Sequence, residues 1–234
     1  VHKLAKGQRL EASSDDQEIC LVLLSGRANV VCGEHRFDDI GERMDIFEQI
    51  PPYAVYLPDH VSYSVEATTD LELAVCAAPG HGNHAPRLIT PDNIKQSTRG
   101  QGTNTRHVHD ILPETEPADS LLVVEVFTPA GNWSSYPPHK HDVDNLPHES
   151  LLEETYYHRI NPEQGFAFQR VYTDDRSLDE TMAVENGCCV LVPKGYHPVG
   201  ASHGYSLYYL NVMAGPKRVW KFHNDPDHEW LMNA

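Results

Sequence analysis

Positive charge is scarce in this chain. Among 234 residues, 18 Lys and Arg stand against 34 Asp and Glu, a formal charge of −16 with histidine neutral. No basic cluster longer than Lys217-Arg218 interrupts that background, so the electrostatic footprint of a nucleic-acid or anionic-membrane binder is missing. An anionic small molecule remains compatible if metal, Arg and Lys create a local positive island for it. Cysteine is also sparse: Cys20, Cys32, Cys76, Cys188 and Cys189 are odd in number and hold no C-x-x-C pair. That pattern argues against a disulfide framework and leads us to expect buried, reduced thiols in a cytoplasmic protein. No long uncharged apolar run occurs, nor a basic start followed by an apolar core, so neither a membrane span nor a signal peptide is expected.

Sustained helical periodicity is missing as well. Short apolar runs recur instead between Gly, Pro, Asn and Asp, as in Ile19–Leu24, Ala54–Leu57, Leu71–Ala77, Leu121–Phe127, Cys188–Val192 and Leu207–Val212. This spacing predicts a mostly antiparallel β protein. Seventeen prolines, doubled at Pro51-Pro52 and Pro137-Pro138, would break helices and mark turns and edges, which points to a sandwich or barrel. The hydrophobic share of 40% supports a substantial core in one large or two ordinary domains.

The two halves echo one another. Ala54-Val55-Tyr56-Leu57-Pro58-Asp59-His60 before Tyr63-Ser64-Val65 resembles Val190-Leu191-Val192-Pro193-Lys194-Gly195-Tyr196-His197 before Tyr205-Ser206-Leu207. A duplicated β-barrel follows. Gly80–Gln101, rich in Gly, His, Asn, Pro and Thr, reads as the linker, with His81 and His84 as solvated loop residues. We therefore expect an N-terminal barrel plus linker over residues 1–100 and a C-terminal barrel over 101–234. The first half has no His-x-His, and His60 lacks partners at ligand spacing, so that barrel is expected to bind no metal.

The second half carries His139-Lys140-His141, then Glu153-Glu154, then Pro193-Lys194-Gly195-Tyr196-His197. In an extended strand, residues two apart share a face, so His139 and His141 can converge on one ion while Lys140 points away. An isolated His-x-His is more often an exposed loop pair, but a third histidine at the Pro-x-Gly position reverses that weighting. Glu153 and Glu154 must face opposite ways in a strand, and Glu154 is the one chosen as ligand. Gly131 stands eight residues before His139, and Gly187 six before Pro193; these spacings resemble the two cupin motifs, the first with an enlarged gap before its glutamate. Three imidazoles and a carboxylate, His139, His141, Glu154 and His197, suit one divalent transition metal, zinc first, with manganese or iron as alternatives.

On that choice Tyr156 and His158 share the face of Glu154 and become candidates for proton transfer, along with a metal-bound hydroxide. Phe168, Arg170 and Tyr172 alternate along the next strand, so Arg170 could meet a substrate carboxylate, or pair with Asp174, Asp175 or Glu180. Arg106, with His107 and His109, could contribute to the barrel mouth. Lys140 and Lys194 read as exposed charges, and Tyr209 and Met213 as core.

The run Phe168-Gln169-Arg170-Val171-Tyr172-Thr173-Asp174-Asp175-Arg176, with Lys194–Val199, Leu207–Pro216 and Glu153–Tyr157, closely resembles the 5-deoxy-glucuronate isomerases of inositol catabolism. That resemblance implies an all-β bicupin, two double-stranded β-helix barrels of which the second holds the metal. It implies an aldose–ketose isomerisation of 5-deoxy-D-glucuronate to 5-dehydro-2-deoxy-D-gluconate. The partner would be a small-molecule sugar acid, in a homo-oligomer. An iron cupin dioxygenase and a non-catalytic sugar-binding bicupin are the alternatives that the same ligand set allows.

Overall fold

Alternation of apolar and polar side chains in short segments, cut by Gly and Pro, yields strands almost throughout. In the computed structural model, which describes residues 1–233, the described residues form 23 strands and a few short 3₁₀ turns, without an α-helix. No helix is long and apolar enough to cross a membrane. The chain divides into two compact units, the first made of residues 1–95 and 109–123, the second of 96–108 and 124 onward.

The first unit contains β1 (His2–Leu4), β2 (Arg9–Ser13), β3 (Gln17–Ser25), β4 (Ala28–Cys32), β5 (His35–Ile40), β6 (Ala54–Leu57), β7 (Ser62–Ala67), β8 (Leu71–Pro79) and β9 (Arg87–Ile89). They form two antiparallel sheets, β1-β8-β3-β6-β9 and β2-β7-β4-β5. Leu21 and Leu23 of β3, Val30 of β4, Val55 and Leu57 of β6, Val65 of β7 and Leu73 of β8 meet in one buried core. Such burial of apolar surface supplies the main driving force, roughly 25 cal/mol per Å².

The remaining ladders use β10 (Lys95–Arg99), β11 (Arg106–Leu112), β12 (Leu122–Thr128), β13 (Trp133–Ser134), β14 (His139–Lys140), β15 (Asp142–Asn145) and β16 (Glu149–Leu151). They continue with β17 (Glu153–Asn161), β18 (Phe166–Tyr172), β19 (Asp179–Glu185), β20 (Cys189–Val192), β21 (Val199–Ala201), β22 (Ser206–Ala214) and β23 (His223–Asn224). A six-stranded sheet runs β10-β11-β12-β22-β17-β20 and a four-stranded one β13-β21-β18-β19, with the pairs β14-β23 and β15-β16 beside them.

Two expectations about organisation need correction. The stretch 80–101 is not a bare linker: Arg87–Ile89 pairs with β6, Ala54 opposite Ile89, and Lys95–Arg99 forms β10. Its turn-rich composition describes only the residues between those strands, and His84 is half-buried against Asp119 and the Tyr56 ring rather than solvated. Nor does one cut after Gly100 describe the chain, because residues 109–123 belong with the first unit. Buried Glu18 on β3 shows why. Its carboxylate accepts hydrogen bonds from Asp119 N (2.7 Å), Ser120 N (2.6 Å), Leu121 N (2.5 Å) and the Tyr56 hydroxyl (2.6 Å).

Glu18→Ala leaves those four donors without their acceptor, and buried unsatisfied donors are each expensive. Urea unfolding is expected to show a loss of about 3–5 kcal/mol, with faster amide exchange at Ser120 and Leu121.

Candidate metal centre and cavity

β17 sets the geometry. Glu154, Tyr156, His158 and Ile160 are buried, while Glu153 and Asn161 at the strand's ends are exposed. Antiparallel register with β22 places Asn211 opposite Tyr156, Tyr209 opposite His158 and Met213 opposite Glu154, so cross-strand neighbours of the inward set are inward as well.

The histidine segments arrive from two other places. β14 ends at Lys140, so His141 falls between two short strands, and His197 follows the Pro193-Lys194-Gly195 turn. Gly195 has φ +94°, and a Cβ there would lie 2.5 Å from the Tyr172 carbonyl oxygen, which explains glycine at this corner. The same glycine donates its N–H to Asp142 Oδ2 at 2.8 Å. Lys140 Nζ donates to Asp142 Oδ1 at 2.7 Å and to Glu149 Oε1 at 3.0 Å. Lys140 is thus buried, not an exposed strand-edge charge. Burial opposes its charge, yet the hydrogen bonds to Asp142 and Glu149 outweigh that and raise its pKa. Lys194 is exposed.

His141, Glu154 and His197 converge, each offering a ligand atom within 4.8 Å of the others, and all three are buried. His141 Nδ1 is 3.1 Å from the Leu152 carbonyl oxygen, and His197 Nδ1 is 2.8 Å from the Gly195 carbonyl oxygen. A carbonyl can only accept, so each Nδ1 carries the proton and each Nε2 presents a lone pair. Both Nε2 atoms lie 3.1 Å from the same oxygen, Glu154 Oε2. His197 Nε2 has no hydrogen-bond partner despite that distance, because a nitrogen lone pair cannot donate to a carboxylate. Two imidazole lone pairs and a carboxylate aimed at one point, with the outer nitrogens anchored on backbone carbonyls, is the arrangement a divalent cation satisfies. Burial raises the Glu154 pKa, but the adjacent His197 and His141 imidazoles overcome it and hold the carboxyl well below the usual range.

His139 is not one of that convergent trio. It is half-buried on β14 opposite Asn224, and its ring lies 5.0 Å from His197 and 4.6 Å from Phe222. The break after Lys140 explains the difference, since His139 and His141 do not share one continuous strand. Burial and the neighbouring His197 and His141 charges push the His139 pKa well down, so it is a neutral imidazole.

A cavity of ≈ 400 Å³ opens beside His139, lined also by Arg99, Arg106, Tyr136 and Phe222. A smaller chamber of ≈ 40 Å³ reaches Glu154, Tyr156, Tyr209 and Asn211. Tyr156 hydroxyl and Ser135 Oγ are 2.9 Å apart. Burial and then the Glu154 charge raise the Tyr156 pKa well above its ordinary value, so it is a neutral phenol able to donate.

Two candidates stand elsewhere than expected. Arg170 does not face the interior: on β18 the inward residues are Ala167, Gln169 and Val171, and Arg170 makes a bidentate pair with Asp179, both bonds 2.7 Å, in solvent. The two-residue alternation of the sequence runs through Phe166 and Phe168, which are exposed. His158 is fully buried and lines neither cavity; its ring stacks behind Tyr156 at 5.8 Å, with Nε2 3.0 Å from Gln169 Oε1. Gln169 was missed for the same phasing reason. Arg99 was missed because it lay in the supposed linker, and Asn211 because an amide within an apolar strand gives no spacing signal.

A conserved-fold comparison agrees with this architecture. Bacillus subtilis oxalate decarboxylase, a protein with Mn(II) centres, superposes with a TM-score of 0.63 over 95% of this chain and 69% of its own, at 14% identity. The fold and site thus define a cupin-type protein with a His/Glu site able to hold a metal. The chain belongs to the KduI/IolB family, whose model matches residues 1–231. A 5-deoxy-glucuronate isomerase of Geobacillus kaustophilus is 66% identical over all of this chain and 85% of its own length. The Bacillus subtilis isomerase of that name is 53% identical over 99% of this chain and 86% of its own. The crystal structure of an IolB-like protein from Salmonella typhimurium gives a TM-score of 0.97 at 56% identity, covering 99% of this chain and 88% of that one.

His158 has a measurable signature. Burial lowers its pKa from 6.5 to about 4, against the opposing hydrogen bond that Nε2 donates to Gln169 Oε1. The unfolded chain therefore binds more protons than the native one between those values, so this group's stabilisation is complete above pH 6.5 and is lost as pH falls toward 4. In metal-stripped protein, wild type is expected to lose up to about 3 kcal/mol more than His158→Gln across that window, read from urea midpoints at each pH.

Proposed function

We propose that this chain is an aldose–ketose isomerase acting on 5-deoxy-D-glucuronate and releasing 5-dehydro-2-deoxy-D-gluconate, as a step of inositol degradation. The observation that carries the reading is the 53–66% identity, essentially over the whole chain, with proteins of that name. The convergence of His141, Glu154 and His197 in a buried chamber supplies a site that suits the chemistry.

In this reading His141, Glu154 and His197 hold one divalent ion, with His139 beside them and zinc as the first choice for a set dominated by imidazole. Such an ion, when bound, supplies Lewis-acid polarisation of a carbonyl or hydroxyl oxygen. The residues of the chain act on the oxygens of the reacting carbons. Tyr156, a neutral phenol held by Ser135, donates a hydrogen bond to the oxygen of the reacting carbonyl and shuttles its proton between the oxygens on C1 and C2. Asn211, opposite Tyr156 and with its Nδ2 unpartnered, offers a second donor to the same pair of oxygens. His158 serves as the packed support behind the Tyr156 ring rather than as a base at the substrate. Isomerisation moves hydrogen from C2 to C1 with no net redox change, so neither oxidant nor organic cofactor enters. The partner is a small-molecule sugar acid, not nucleic acid or membrane, and we extend the reading to a homo-oligomer in the reducing cytoplasm, where its free cysteines persist.

Incubated with 5-deoxy-D-glucuronate in D₂O without oxygen, the protein is expected to convert the aldehyde signal to ketose, and chelator to abolish the conversion. Glu154→Gln should lose bound metal by elemental analysis together with activity. Tyr156→Phe should retain metal and lose roughly 10²–10⁴-fold in kcat, the usual contribution of a positioned proton-transfer group. Oxygen uptake coupled to turnover would instead favour a dioxygenase.

A further inference from the structure

The cavity beside His139 differs in charge from the protein around it. In a chain of net charge −16, its lining among the described residues includes two guanidinium groups, Arg99 and Arg106, and no Asp or Glu. Both arginines also line the inner chamber, where Glu154 is the acidic residue. They come from the facing ends of β10 and β11, neighbours in the six-stranded sheet, joined by the turn over residues 100–105.

That turn is built around Arg106. Gly100 has φ +77°, a conformation that glycine tolerates best. A Cβ on it would lie 2.1 Å from the Asn104 carbonyl oxygen and 2.7 Å from Arg106 Nη1. Arg106 Nη1 donates to that same Asn104 carbonyl at 3.1 Å, so the guanidinium lies close to the glycine and is held at the cavity wall. Arg99 is held from the other side, its Cζ 5.6 Å over the Trp220 ring. Burial lowers the Arg106 pKa, Tyr209 opposes that, and the neighbouring Arg99 charge adds to the lowering. Two guanidinium groups set in one cavity wall by a glycine turn and an aromatic face suit the carboxylate of a small acid.

We propose that Arg99 and Arg106 together form the subsite for the carboxylate of the sugar acid. The substrate then lies with its acid end at the cavity mouth and its carbonyl end at Glu154, Tyr156 and Asn211. The inference rests on the isomerase reading and adds direction to it. In 5-deoxy-D-glucuronate the carboxylate is C6 and the reacting carbons are C1 and C2, so the two ends need sites of opposite character. Arg99 and Arg106 line both spaces, whereas Glu154 of the metal-ligating set lines the inner chamber and not the outer cavity. Specificity for an acid over a neutral sugar then comes from this pair and not from Arg170, which is committed to Asp179.

The test compares 5-deoxy-D-glucuronate with its uncharged counterpart 5-deoxy-D-glucose on metal-replete protein. Arg106→Gln and Arg99→Gln are each expected to raise KM for the acid by about 10–100-fold, the loss of a charge-assisted contact, while values for the neutral sugar move less than about threefold. Gly100→Ala should act in the same direction by displacing the Arg106 guanidinium, and Arg106→Lys should restore part of the loss. Equal shifts for both sugars, or no shift for either, overturn the subsite. If wild type converts neither sugar, the isomerase reading fails on its own. Calorimetric titration of both sugars then decides the subsite: acid-selective binding lost in the Gln variants upholds it, and no selectivity in wild type overturns it.

Discussion

Asp142 is the knot on which the second unit's site depends. One carboxylate oxygen takes the Lys140 ammonium and the other takes the Gly195 amide, so a single side chain ties the segment bearing His139 and His141 to the turn bearing His197. Glu149 closes the arrangement by accepting from both Lys140 Nζ and the Asp142 amide. A buried lysine is costly to desolvate, and breaking one partner of such a group is far more damaging than its net contribution would suggest. The network contributes position. It holds two loops, neither with a continuous ladder of its own, so that their imidazoles meet a carboxylate presented by a long, fully paired strand.

The division of labour among backbone types is consistent across the site. β17 is paired on both sides, with β20 and β22, and carries the residues that need the firmest placement, Glu154 and Tyr156. The histidines ride on short strands and turns, and each is oriented by its Nδ1 proton on a backbone carbonyl. Orientation by carbonyls leaves both Nε2 lone pairs with only one chemical use at that point, a shared cation. The arginines come from a hairpin end whose close approach only glycine permits. Charge is therefore sorted along the cavity by backbone geometry, within a chain whose overall balance is strongly acidic.

Much of this could be read from residue order. Short apolar runs between turn residues specify strands, because the alternation period and the breakers leave no helix to form. The Pro-x-Gly-x-His segment and Glu153-Glu154 located two of the three convergent donors, and His141 followed from its place beside them. The phasing of β18 could not be read in the same way: Phe166, Phe168, Arg170 and Tyr172 look like an interior set, but the protein buries Ala167, Gln169 and Val171, and of that set only Tyr172. Large aromatics on one phase and small residues on the other leave burial ambiguous until the opposing surface is known, and Phe166 and Phe168 are in solvent.

The sequence by itself determined the all-β class, the turn positions and the ligand types, since each depends on local periodicity, backbone restriction or donor chemistry. Tertiary structure alone decided that residues 109–123 belong with the first unit, because Glu18 meets Ser120 and Leu121 across about a hundred residues of chain. It also decided that Lys140 is buried, that His139 stands beside the convergent donors, and that Arg99 and Arg106 share one wall. The reason is common to all four. Each is a contact between segments remote in sequence or set by a tight turn, and no local pattern records which partner a side chain will meet.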